Sequence, residues 1–167
     1  MVFPVFVHAP QTPEEIMKAM GPYIAVGLNG CIGSTDATHI MWIACPAHLK
    51  NFCFGKEGFP TLVYNVTCTH DLFATHCGSS SFGANNDKFI VRFDEFIADL
   101  RTLDLYKNIE YELFDSHGVA HWTRGAYVVV DGGYHRWRAT MCAHKSSADP
   151  DYIAYVRSIL IRNLIVS

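Results

Sequence analysis

Ala126 to Val130 is an uninterrupted apolar run, Ala-Tyr-Val-Val-Val, that stops at Asp131-Gly132-Gly133. A short apolar run without polar alternation suits a strand buried on both faces, as at the centre of a sheet covered by helices. This segment therefore limits the fold more than any other. It requires neighbouring strands and covering helices, and it delivers a carboxylate to the strand's end.

The remaining pattern supplies those neighbours. Thr12-Pro13 followed by Glu14-Glu15 reads as a helix start, with Gly21-Pro22 as its end. Cys31 to Ile43 reads as a first core strand that makes its exit at Asp36. Pro46 and the segment from Lys50 to Pro60 make a loop. Thr61 to Thr69 and Leu72 to Cys77 read as a second and third strand, joined at His70-Asp71. Gly78 to Asn86 is a turn-rich loop leading to Asp87, and Phe89, Ile90, Phe93, Phe96, Ile97 and Leu100 then recur at the spacing of one continuous helix. Ile109 to Phe114 reads as a short strand, and Tyr152 to Leu164 as a terminal helix beginning at Pro150. Three strands, a helix and a further buried strand predict an α/β domain with a mixed sheet.

Composition narrows the function classes. With 167 residues, half of them hydrophobic and 17% charged, the chain can bury a core of ordinary size. It contains no apolar stretch long enough to span a bilayer and no basic region at its amino terminus, so membrane residence and secretion are not expected. A net charge of −3 argues against a free-standing nucleic-acid binder. The cysteines (31, 45, 53, 68, 77 and 142) form no C-x-x-C pair, which speaks for small buried thiols over zinc ligands or disulfides. Cys31 and Cys77 lie next to glycines, but no nucleophile signature surrounds them.

Aspartates at strand ends are held rigidly and can face a divalent metal. Asp36, Asp87 and Asp131 are the candidates, and 131 − 36 = 95 residues separate the outer two. Plainer roles exist for two of them: Asp87 as a helix N-cap, and Asp131-Gly132-Gly133 as a tight turn. The segments Gly30-Cys31-Ile32-Gly33-Ser34-Thr35-Asp36-Ala37-Thr38-His39-Ile40 with Trp42 and Cys45-Pro46, Gly55-Lys56-Glu57-Gly58, Gly83-Ala84-Asn85-Asn86-Asp87, and Asp131-Gly132-Gly133-Tyr134 with Trp137 resemble, in that order, the Harbinger superfamily of DDE transposases, in particular its plant-transposon-protein branch.

That resemblance implies a ribonuclease-H-like mixed sheet with flanking helices, incomplete at the C-terminus. Residues 1–26 would be a peripheral lead-in and 27–167 a partial catalytic core. It implies two aspartates and a glutamate around Mg2+ (or Mn2+), acting on DNA at transposon ends. It also implies a separate DNA-binding partner protein and nuclear residence. Asp36 matches the first acid; Asp131 ranks above Asp87 as the second. The third acid is the departure: no glutamate follows Glu112, and only Asp149 and Asp151, flanking Pro150, come after Asp131. The expectation is a truncated or degenerate copy, inactive for want of a ligand. The competing reading is a non-catalytic remnant acting through protein partners. His39 reads as a strand-end histidine bonded to backbone, with a supporting role at the metal as the alternative. Lys56, Arg92, Arg124, Arg136, Arg138 and Lys145 read mainly as solvated surface, Arg136 and Arg138 being the best placed for phosphates. Trp122 and Trp137 are available for stacking.

Overall fold

A computed structural model describes residues 7–114, 117–135 and 137–142. The expected terminal helix from Pro150, together with Arg136, Lys145, Asp149 and Asp151, lies outside the described residues. In chain order the elements are α1 (Pro13–Ala25), β1 (Cys31–Met41), α2 (Lys50–Cys53), β2 (Thr61–Cys68), β3 (Ala74–Cys77), β4 (Ser81–Phe82) and α3 (Asp87–Ile90), which runs into a 3-10 turn (Val91–Phe93). There follow α4 (Glu95–Thr102), α5 (Asp104–Lys107), β5 (Glu110–Phe114), β6 (Ala120–Arg124), β7 (Tyr127–Val130) and β8 (Thr140–Cys142).

The main sheet has the order β3-β2-β1-β7-β8, with β4 also paired to β2, while β5 and β6 form a separate hairpin. β1 runs antiparallel to β2 and parallel to β7, so the sheet is mixed, and this order agrees with a ribonuclease-H-like arrangement. Its helices and strands share two apolar clusters. Ile16 and Met20 of α1 join Ile32, Phe96, Ile97, Val128 and Val130 in the larger one. Tyr23, Cys31, Tyr111 and Tyr127 make the smaller. Tyr127 and Val128, adjacent in β7, enter different clusters, as the expectation of a strand buried on both faces requires.

Between Cys31 and Gly33 the pairing with β7 shifts: Cys31 lies opposite Tyr127 and Gly33 opposite Val128, so Ile32 is the extra residue of a bulge. The ladder then runs to Thr35↔Val130.

Three expectations need correction. α1 continues through Gly21-Pro22 to Ala25. Burial of Tyr23, whose carbonyl accepts from the amides of Val26 and Leu28, anchors the last turn beyond the proline. Asp36 is not the exit of β1, because the strand continues to Met41 on its pairing with β2. What ends near Asp36 is the pairing with β7. Finally, the apolar series from Phe89 to Leu100 is two helices. The chain turns extended at Asp94, whose side chain accepts from the Ile97 amide at 2.9 Å and starts α4 afresh. Phe89 and Phe93 consequently face outward.

Candidate functional site

The last β1–β7 pair is Thr35↔Val130, and the next residue on each strand is an aspartate, Asp36 and Asp131. Two parallel neighbouring strands therefore bring two carboxylates 95 residues apart in sequence to the same level. Asp36 accepts from the amide of Ala37 through Oδ1 at 2.8 Å. Asp131 Oδ1 accepts from the Gly133 amide at 2.7 Å, so the tight turn expected at Asp131-Gly132-Gly133 is present and fixes the carboxylate.

Asp87 reaches the same place from another direction. Asn86, not Asp87, caps α3, accepting from the Phe89 amide at 2.9 Å, which leaves the Asp87 side chain unused by the cap. It lies against the Asp131 turn. A β-carbon built on Gly133 would stand 2.8 Å from Asp87 Oδ2 and 2.9 Å from Asp131 Oδ1. A side chain at this position would displace one or both carboxylates. Burial, then the charges of Asp131 and, more weakly, Asp36, push the Asp87 carboxyl above its usual range, against the pull of Lys56 and His39. The same aspartates, after burial, raise the phenol of Tyr134 strongly.

A polar layer behind the site holds it in place. Tyr134 donates to Asn65 Oδ1 at 2.7 Å, and Asn65 Nδ2 donates to Asp94 Oδ2 at 2.6 Å. Asp94 also faces His76 Nε2 at 3.5 Å, a contact too loose in geometry to count as a hydrogen bond, and that nitrogen is buried with no hydrogen-bond partner. Burial would raise the Asp94 carboxyl, but His76, the Ile97 amide and Asn65 together hold it below its usual range. Thr35 and Thr67 share a hydrogen bond at 2.7 Å beneath Asp36. Nothing in the sequence alone singled out Asn65 or Asp94, and Tyr134 entered only as part of the Asp131-Gly132-Gly133-Tyr134 segment. The available signals were a lone asparagine within an apolar strand and an aspartate interrupting a helical pattern.

The other candidates scatter. His39 Nδ1 pairs with Thr61 Oγ1 at 2.9 Å, a side-chain partner where a backbone one was expected. Arg92 donates through Nε to His135 Nε2 at 3.1 Å, tying the 3-10 turn to the Asp131 loop. Arg124 pairs with Glu110 on the β5–β6 hairpin, and Arg138 is exposed. Trp137 is occupied: His135 stacks on it at 4.9 Å and Arg101 lies over it at 4.1 Å, whereas Trp122 is exposed on β6. All six cysteines are free, Cys31 and Cys53 buried and the others half-buried. Burial pushes the Cys31 thiol up to about 12, and burial with Asp94 raises that of Cys77, the opposite of what a thiolate nucleophile needs.

The donor set of Asp36, Asp87 and Asp131 is all carboxylate oxygen, the chemistry that suits magnesium or manganese. As placed, among the described residues, no three His, Cys, Asp or Glu side chains stand close enough together to hold a metal ion. The carboxylates converge without closing a cage. Against known families, the model of the plant transposon protein matches residues 6–157. The chain belongs to the plant transposon protein family. The match embraces α1, the whole sheet and all three aspartates of this plant transposon protein. No curated protein and no solved structure matches it.

Proposed function

We propose that the chain is a transposase-derived domain of the Harbinger DDE type in which Asp36, Asp131 and Asp87 hold a divalent cation, Mg2+ or Mn2+, for phosphodiester chemistry on DNA. The observation that carries this reading is the Gly133 wedge: two carboxylates lie on either side of one glycine, with a third on the neighbouring strand, and burial together with the neighbouring carboxylates raises Asp87. Like charges gathered without a matching set of cations are stabilised when a cation arrives. When bound, the metal would supply a water of lowered pKa and charge neutralisation at the leaving 3′ oxygen. The chain's own part is positioning. The Asp131 turn and the β1 ladder fix two carboxylates, α3 presents the third, and Lys56, whose charge acts on Asp87, is available for phosphate oxygens.

Cleavage by residues 1–167 alone is expected to be weak or absent. The resemblance calls for a glutamate after the second aspartate, and residues 113–167 hold none. A non-catalytic role through a protein partner, such as a separate DNA-binding protein, is the second reading, and the same departure favours it. Calorimetric titration of Mn2+ into the wild-type chain and into Asp36→Ala, Asp87→Ala and Asp131→Ala tests the metal reading. Saturable binding that is lost in the variants supports it; a folded wild-type chain that takes up no metal overturns it. Release of a labelled strand from a transposon-end duplex in Mn2+ would overturn the expectation of inactivity.

A further inference from the structure

Six phenylalanines with more than a third of their surface exposed lie on two segments that flank Asp87. Phe52, Phe54 and Phe59 belong to α2 and the loop after it, Phe82 to β4, and Phe89 and Phe93 to α3 and its 3-10 turn. So much exposed aromatic surface is costly unless something covers it. The segments touch: the Ala84 amide donates to the Phe52 carbonyl at 3.0 Å, and the Phe52 and Phe82 rings are 6.0 Å apart. The Phe89 and Phe93 rings stand 5.0 Å apart and, with Ser79, Ser80 and Ser81 and the buried Asn65 and Asp94, line an open cleft of about 290 Å³.

Charge says what kind of partner this surface fits. Residues 50–60 and 82–93 carry Lys50, Lys56, Lys88 and Arg92 against Glu57 and Asp87, in a chain with 13 basic and 16 acidic residues overall. All four cations are exposed, and none pairs with a carboxylate among the described residues. Flat rings interleaved with exposed cations and backed by hydroxyls match a nucleic-acid strand whose bases are unpaired: rings stack on bases, cations meet phosphates, and serines reach base edges. A protein partner would have to set acidic side chains among its apolar ones to match the same cations.

We propose that this surface is a stacking platform for the unpaired bases of a DNA strand beside the aspartates, with one base entering the Phe89–Phe93 cleft. This rests on the transposase reading, since it names how the strand is held there. It also explains how an acidic chain would engage DNA locally, by rings and a few cations and not by a broad basic face. Binding of a fluorescein-labelled oligothymidylate, followed by anisotropy at low salt without added divalent metal, tests it separately from metal chemistry. Saturable binding is expected. Phe52→Ala combined with Phe89→Ala should weaken it by at least about tenfold with an unchanged salt slope, given what one base–ring stack contributes. Lys50→Ala combined with Lys88→Ala should lower the slope by about 1.4, at roughly 0.7 per lost contact on a single strand. Phe114→Ala, which removes an exposed ring from the β5–β6 hairpin, should change nothing. All these rings are on the surface, and far-UV dichroism confirms that each variant folds. Absence of binding, or binding that the double phenylalanine variant leaves intact, overturns the platform and leaves the rings to a protein partner. Loss of Mn2+ uptake with the platform intact would instead overturn the metal reading.

Discussion

The hydroxyl of Tyr134 donates to Oδ1 of Asn65 at 2.7 Å, joining the turn that carries Asp131 to the middle of β2. Both residues are buried, 69 positions apart, and no other donor to that oxygen is present among the described residues. Tyr134→Phe keeps the ring and removes the donor, stranding a buried acceptor at a cost of about 1–3 kcal/mol. A lower urea midpoint with an unchanged m-value is the expected result. An unchanged midpoint would show that the bond does not tie the turn down.

Asp94 makes the fold sensitive to acid. Its carboxyl is held below its usual range, so its contribution is fully present above its unfolded value, near 3.9, and is lost as pH falls through the lower folded value. Asp94→Ala removes the α4 cap and strands Asn65 Nδ2, and should destabilise by about 3 kcal/mol at neutral pH. Asp94→Asn retains the capping oxygen and should cost less, while flattening the stability profile on the acid side. Chemical denaturation at several pH values measures both.

Asp87 has the opposite sign. A raised carboxyl means that the folded chain holds this proton more tightly than the unfolded one, so Asp87 costs stability once ionised and the cost is relieved as pH falls through its folded value. Proton and metal compete for the same oxygens. Mn2+ affinity should therefore rise as pH climbs through that raised value, and Asp87→Asn should remove this part of the dependence. Calorimetry across the acidic range reads it directly.

Gly133→Ala places a methyl where Asp87 and Asp131 now stand 2.8 and 2.9 Å from the built carbon. One or both carboxylates must move. Weakening of Mn2+ binding by about tenfold or more, the scale of lost support around a metal site, is expected with the thermal midpoint little changed. Equal affinity in wild type and variant would mean that the two carboxylates do not act together.

How far the fold could be read in advance varied by element, for physical reasons. β7 and Asp131 were legible because five apolar residues in a row leave few alternatives to a central strand. β8 was not, since Thr140–Cys142 offers three residues and no alternation. The break at Asp94 was hidden because Phe89, Phe93, Phe96 and Leu100 keep helical spacing through it. The forces that snap the helix come from Asn65 and His76, 29 and 18 residues earlier in the chain, where 94 − 65 = 29 and 94 − 76 = 18. At the site, Asp36, Asp87 and Asp131 were each visible as candidates, but their convergence depends on a turn at Gly133 that meets Asp87 across 133 − 87 = 46 residues.

The bulge at Ile32 sets the phase of everything downstream in β1. Because the bulge takes up Ile32, Thr35 lies level with Val130 and Asp36 comes next to Asp131; were Ile32 paired regularly with Val128, Thr35 would take the place of Asp36 beside Asp131. Because alternate residues in a strand point to opposite sides, a slip of one also reverses which side chains face inward. The two aspartates are thus in step because one residue, four positions upstream of the first, is left out of the ladder. A lineage of such chains could lose the codon for Ile32 and keep its carboxylates level, whereas straightening the bulge with every residue retained would put them out of step with every acidic residue still present.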